Sequence, residues 1–157
     1  MSKLNRVYLA GPFFSDQQTD RLNTIAALLE QNNTIGDIFR PGKDEYTDAE
    51  FGSFECQTAV FKHDINNINT SDIVVAELDY KLEEKLSEPD SGTAWECGYA
   101  FANSIPVIGV RFDKEPPLNL MLAGSLTAFF NGQESINKIK DYDFNSLMTR
   151  YEKINVF

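Results

Sequence analysis

Five short apolar runs, separated by helix-length stretches, constrain this chain more than any other feature of its 157 residues. Val7-Tyr8-Leu9-Ala10 is the first, broken by Gly11-Pro12, and Asp37-Ile38-Phe39-Arg40 is the second, ended by Pro41-Gly42. Ile73-Val74-Val75-Ala76, Pro106-Val107-Ile108-Gly109-Val110 and Leu126-Thr127-Ala128-Phe129-Phe130 follow. Between them, residues 16–30 carry Leu22, Ile25, Ala26 and Leu29 at helical spacing, and residues 54–69 place Phe61, Ile65 and Ile68 on an inner face. Residues 91–103 and 133–140 read as further helices, the acidic stretch 79–89 as an exposed loop, and the tail from 141 shows no clear pattern. Apolar strands alternating with helices require a parallel sheet covered on both faces. The expected fold is α/β: one domain over residues 1–157, a parallel five-stranded sheet flanked by helices, Rossmann- or flavodoxin-like.

A formal charge of -10 and the lack of any Lys/Arg cluster argue against a nucleic-acid polymer as partner. Free bases and nucleosides, which carry little charge, stay open. No apolar run approaches the length of a membrane span, and Met1 to Arg6 holds no apolar stretch of a signal peptide, so a cytoplasmic location is expected. Cys56 and Cys97 form neither a disulfide framework nor a metal-ligand pair, and His63 is the only histidine. A His-based zinc site and a Ser-His-Asp triad are therefore hard to build, and no metal or cofactor is expected.

In such sheets ligands bind beyond the carboxyl ends of the strands. After the first strand stands Gly11-Pro12-Phe13-Phe14, with one glycine only and a proline that removes a backbone donor, which suits a phosphate poorly. Aromatic side chains there suit stacking on a flat ring; one of the two is expected in the core, with Phe14 the candidate base contact. Asp44 follows the second strand, and Pro116-Pro117-Leu118-Asn119-Leu120-Met121 follows the fourth. The most telling segment is Asp90-Ser91-Gly92-Thr93-Ala94-Trp95-Glu96-Cys97-Gly98-Tyr99-Ala100. It reads as a loop entering a helix, with Asp90 and Ser91 as good capping residues and Glu96 set among small neighbours. An ionised carboxylate with open space beside it is what a nucleophile at a sugar carbon needs. Plainer readings exist for each residue: Asp90 as an ordinary N-cap, Asp64 as a solvated surface carboxylate, Tyr8 as a core tyrosine and Cys97 as a packing residue.

Residues 8–15, Asp64 and its neighbours, residues 90–100 and Asn119-Leu120-Met121 together resemble nucleoside 2-deoxyribosyltransferases over nearly the whole chain. The pattern Gly92-x-Ala94-x-Glu96-x-Gly98-x-Ala100 is shared with N-glycosidases acting on deoxynucleotides, while Pro117-x-Asn119-Leu120-Met121 points to the transferase branch. The resemblance implies that Glu96 is the nucleophile, that Tyr8 orients it, and that Asp64 and Asp90 contact sugar hydroxyls and base, with Asp90 the proton donor. Gly11, Phe14, Asp44 and Gly92 join the substrate-binding candidates. Asn119 and Met121 would complete a neighbouring subunit's pocket, since family members are homo-oligomers, often hexamers. Two departures stand out: residues 79–89 form a longer loop than the compact family pattern, and the chain ends in Val156-Phe157 where a terminal tyrosine is usual.

The implied reaction moves a 2-deoxyribosyl group between purine or pyrimidine bases through a covalent glycosyl-Glu96 ester, with ping-pong kinetics and net retention. Its partners are deoxyribonucleosides and free nucleobases. The alternative is an N-glycosidase on deoxynucleosides or their 5'-monophosphates, for which Ser15 and Arg21 are the phosphate contacts near the first loop. A non-catalytic nucleoside- or protein-binding module is the third class.

Overall fold

The side chains of each strand point alternately to two faces, and both faces are apolar, so helices must cover both. The computed structural model describes residues 2–42, 48–81, 84 and 88–157. The elements are β1 (Asn5–Ala10), α1 (Asp16–Glu30), β2 (Ile35–Phe39), α2 (Phe54–Asn69), β3 (Ile73–Glu77) and α3 (Ser91–Ala102). They continue with β4 (Val107–Arg111), α4 (Leu120–Ser125), β5 (Ala128–Asn131), α5 (Gln133–Ile136) and a 3-10 turn over Asn137–Asp141. The five strands lie in the order β2-β1-β3-β4-β5, and every adjacent pair is parallel. Strand order reverses between β1 and β3, so the crevice for a ligand opens at their carboxyl ends.

On one face Val7, Leu9, Val75, Val110 and Phe130 meet Leu22, Ile25 and Leu29 of α1, with Ile136 and Ile139 beyond. On the other, Tyr8, Ala10, Val74, Ala76 and Phe129 meet Ile68 of α2 and Cys97 and Ala100 of α3. The three long helices begin on side-chain caps: Ser15 Oγ accepts from Gln18 N (3.3 Å), Ser53 Oγ from Cys56 N (3.1 Å), and Asp90 Oδ2 from Thr93 N (3.0 Å). Each satisfies a backbone donor that the helix itself cannot.

Several expectations are corrected. Phe61 is 54% exposed rather than facing inward, and the buried residues of α2 are Cys56 and Ile68. The stretch 79–89 does not start as an exposed loop: Asp79 is 3% exposed and accepts from Phe112 N (2.7 Å) and Asp113 N (3.2 Å). The helix expected over 133–140 is a four-residue α5 followed by the 3-10 turn, and α4 lies before the last expected strand, where no helix was expected. β5 accordingly starts at Ala128, because Leu126 ends α4. The tail returns to the sheet, where Phe129 N donates to Arg150 O (2.9 Å), and then runs beside Leu118.

Glycine at position 11 is a packing requirement. A Cβ there would lie 2.7 Å from Leu22 Cδ2 and 3.0 Å from Glu77 Cβ. Beneath this turn lies a belt of buried charge at the exits of β3 and β4. Arg21 Nε stands 3.6 Å from Glu77 Oε2, Arg111 Nε stands 3.9 Å from Asp79 Oδ1, and Glu77 Oε1 accepts from Asp79 N (2.7 Å). Burial, then the neighbouring Asp79, pushes the Glu77 carboxyl well above its usual range, and Arg21 offsets this only in part.

Folded protein thus holds this proton at pH values where the unfolded chain has released it. The stability it contributes is full below the unfolded value and is lost as pH climbs toward the folded one. Glu77→Gln cannot ionise and escapes that loss. Urea titrations between about pH 4 and pH 7 should show the variant gaining on the parent as pH rises; a difference independent of pH contradicts the assignment.

Candidate active site

Tyr8 sits on the face of β1 that α2 and α3 cover, and it is fully buried. Its ring packs at 5.3 Å from Phe39, and its hydroxyl donates to Glu96 Oε1 at 2.6 Å. A buried phenol needs a partner for its O–H. Glu96 supplies it, being one and a half turns into α3 on the side turned toward the sheet. Tyr8 is thus the core residue of its plain reading, and its hydroxyl also reaches Glu96. The field of a helix terminus fades within its first turn, so a directed O–H donor, more than the helix end, fixes this carboxylate.

Glu96 lies in the wall of a cavity of about 540 Å³ shared by Asp64, Asp90, Gly92, Gly11 and Phe14. A second lobe of about 520 Å³ adjoins it across Phe51, Cys56, Val60, Asp64, Gly92 and Glu96, and is roofed by Phe61 and Trp95. Each lobe falls within the roughly 300–1,000 Å³ usual for small-molecule sites. Three carboxylates therefore meet in one aromatic-lined space, and among its described lining residues there is no Lys or Arg. Nor do the described residues include a group of His, Cys, Asp or Glu side chains placed to hold a metal ion.

Asp90 combines two positions: Oδ2 accepts from Thr93 N and Thr93 Oγ1 (3.0 and 3.3 Å), and the residue lines the cavity. Gly92 leaves that carboxylate room, since a Cβ would come within 3.0 Å of Asp90 Oδ2. Phe13 and Phe14 are 40% and 66% exposed, so neither is a core residue as one was expected to be. Their rings tilt against each other at 5.1 Å, and Phe13 lies over Gly42, whose φ of +76° and missing Cβ allow the approach. Asp44 lies outside the described residues.

Asn119 and Met121 do not share this cavity. Asn119 caps α4, accepting from Met121 N at 2.9 Å, and Met121 is 77% exposed. Both line a separate apolar hollow of about 820 Å³ with Ala94, Gly98 and Phe101 of α3. Phe157 is pinned beside them, donating its N–H to Leu118 O (3.2 Å) and accepting from Leu120 N (3.0 Å).

Of the wall supplied by α2, Asp64 was expected but Cys56 and Val60 were not. Cys56, Val60 and Asp64 form an i, i+4, i+8 stripe that faces the cavity, and the exposed Phe51 stands at its edge. That spacing was present in the sequence beside the expected inner face of Phe61, Ile65 and Ile68, of which Ile68 is buried and all three line the second lobe.

The two phosphate candidates are otherwise engaged. Ser15 caps α1, and Arg21 donates to Tyr80 O (3.0 Å) beside Glu77. Cys97 is fully buried, and burial with the neighbouring Glu96 charge pushes its thiol up to about 12. It is no nucleophile.

The family model for nucleoside 2-deoxyribosyltransferase matches residues 7–138. A nucleoside deoxyribosyltransferase of Limosilactobacillus fermentum is 32% identical, over 92% of this chain and 89% of its own length. A solved 2-deoxyribosyltransferase of the psychrotolerant bacterium Bacillus psychrosaccharolyticus is 31% identical, with a TM-score of 0.80 over 94% of this chain and 99% of that one. A CMP N-glycosidase of Clostridium botulinum, at 19% identity and a TM-score of 0.54 over 87% of this chain and 95% of that one, shares the fold.

The buried thiol gives a simple check on the packing behind Glu96. Iodoacetamide at pH 8 should leave Cys97 unmodified in native protein and alkylate it after unfolding in urea, as read by peptide mass. Rapid native labelling of Cys97 contradicts the packing of α3 on the sheet.

Proposed function

The chain belongs to the nucleoside 2-deoxyribosyltransferase family, and on that premise we propose that Glu96 carries the transferred sugar as a covalent ester. The observation that supports this most is the 2.6 Å hydrogen bond from the buried Tyr8 hydroxyl to Glu96 Oε1, at the wall of a cavity that also holds Asp64 and Asp90. In this reading a deoxyribonucleoside enters with its base against Phe14 and its C1' over Glu96. The glycosidic bond breaks through an oxocarbenium-like state that the carboxylate stabilises and then captures. The electrons of the C1'–N bond leave with the base, which takes a proton from Asp90. A second base occupies the same place, returns a proton to Asp90 and attacks C1', expelling Glu96. Two inversions give net retention.

Asp90 caps α3 through Oδ2, so Oδ1 is the atom that exchanges the proton. Asp64 bonds a sugar hydroxyl, while Gly11 and Gly92 line the space for the furanose, Gly92 leaving room beside the Asp90 carboxylate. Asn119 and Met121 complete the pocket of a neighbouring subunit. Their place outside the Glu96 cavity of their own chain, on an exposed apolar surface, fits a homo-oligomer, with the hexamer of the family as the expected size. The protein works as one domain, in the cytoplasm. Among the described residues no helix is long and apolar enough to cross a membrane.

Hydrolysis would use the same ester, opened by water. No residue of the site favours it separately. The nucleotide form would also set a phosphate among three carboxylates, with Ser15 and Arg21 already engaged.

Deoxyinosine mixed with adenine should give deoxyadenosine without added phosphate, and intact-mass analysis should find a deoxyribosyl adduct on the peptide that holds Glu96. Free deoxyribose appearing as fast as hypoxanthine contradicts transfer. Glu96→Ala should abolish exchange and adduct together, whereas Asp90→Asn should slow exchange about 10²–10⁴-fold. Tyr8→Phe keeps the ring and loses a hydrogen bond to a charged group, so kcat should fall about ten- to a hundredfold at little cost in melting temperature. An unchanged kcat in Tyr8→Phe contradicts the orienting role.

A further inference from the structure

Phe14 has a ring that is 66% exposed, so packing alone does little to hold it in one place. Its backbone is held instead. Phe14 N donates to Gln18 Oε1 at 2.7 Å, and Gln18 is only 5% exposed. The other end of the same amide, Nε2, donates to Tyr80 O at 3.2 Å, and Arg21 Nη2 donates to that carbonyl at 3.0 Å. One helical turn of α1 therefore grips two loops, the one leaving β1 and the one leaving β3. Both border the crevice where strand order reverses.

We propose that Gln18 is a positioning residue that sets the affinity for the incoming base, by fixing the Phe14 wall against the exit of β3. It does not line the cavity; it acts through the Phe14 amide. The inference rests on the reading of Phe14 as the base contact. An amide side chain suits the task because it accepts at one end and donates at the other. Glutamate can accept from Phe14 but cannot donate to Tyr80, and methionine fills the space while doing neither. Glu96 is held from β1 by Tyr8, so the chemical step at C1' is insulated from this clip.

The experiment is steady-state base exchange at saturating deoxyinosine, with adenine varied as acceptor, on the parent, Gln18→Met, Gln18→Glu, Phe14→Ala and the Phe14→Ala/Gln18→Met double variant. Losing one buried hydrogen bond should raise the KM for adenine about three- to tenfold in Gln18→Met, with kcat within about twofold of the parent. Gln18→Glu, which keeps the bond to Phe14, should show a smaller rise, and it carries the test if the methionine variant fails to fold. In the Phe14→Ala background, Gln18→Met should add nothing to KM. An unchanged KM in Gln18→Met, or a fall in kcat with KM constant, overturns the proposal. So does an added effect of Gln18→Met that is as large in the Phe14→Ala background as in the parent. If Phe14→Ala itself leaves KM unchanged, the base-contact reading has failed and this inference falls with it. If Phe14→Ala raises KM and Gln18→Met does not, only the clip is lost.

Discussion

The hydrogen bond between Tyr8 and Glu96 joins the two halves of this molecule, one side chain rising from a central strand and the other descending from a covering helix. Its existence requires that β1 present Tyr8 to the face that α3 covers, that α3 lie close on the sheet through Cys97 and Ala100, and that the residues above be small. Each requirement follows from a local pattern: alternation in the strand, the Asp90 cap that starts the helix, and the glycines and alanines around Glu96. The bond holds the carboxylate of a flexible side chain at one wall of the crevice. On the proposed role of Glu96 such fixing is a gain, because orientation is then settled before substrate arrives.

The belt of charge beneath the crevice has a different purpose. Glu77, Asp79, Arg21 and Arg111 are all buried at the exits of β3 and β4, where apolar side chains would pack at lower electrostatic cost. What they hold is backbone: Asp79 takes the amides of Phe112 and Asp113, Arg111 reaches Pro116 O at 2.9 Å, and Arg21 takes the Tyr80 carbonyl. Loops at the carboxyl ends of parallel strands have no sheet partners for their peptide groups. Buried charged groups bond those peptides firmly, and they give the loops around the cavity a defined course.

Much of this was legible in the sequence. The helices over α1 and α2 match their expected ends, because Ser15 and Ser53 cap them and their apolar residues recur at helical spacing. Each expected strand is present within two residues at either end, and the reversal of strand order puts Tyr8, Glu96 and Asp90 where chemistry was sought. The failures have physical causes. Hydrophobicity alone cannot tell a core aromatic from one that lines a site, so Phe61 and one of the pair Phe13 and Phe14 were placed too deep. Acidic composition suggested exposure for Asp79, although two backbone amides and an arginine hold it inside. The six residues of α4, with Gly124 among them, are too few to display a period. The clip at Gln18 was invisible because a glutamine that extends the buried stripe of Leu22, Ile25 and Leu29 by one turn is polar and carries no sequence signal of what it will meet.

In the proposed reaction a single acidic oxygen lies beneath the anomeric carbon and bonds to it during turnover. The most direct test is a crystal soaked with a deoxyribonucleoside and flash-cooled at successive times. Before reaction, C1' should lie about 3–3.5 Å from a Glu96 oxygen; later, continuous density should join that oxygen to C1' while the base has gone. A furanose bound with its anomeric carbon turned away from Glu96, or base loss with no density linking the two, would contradict it.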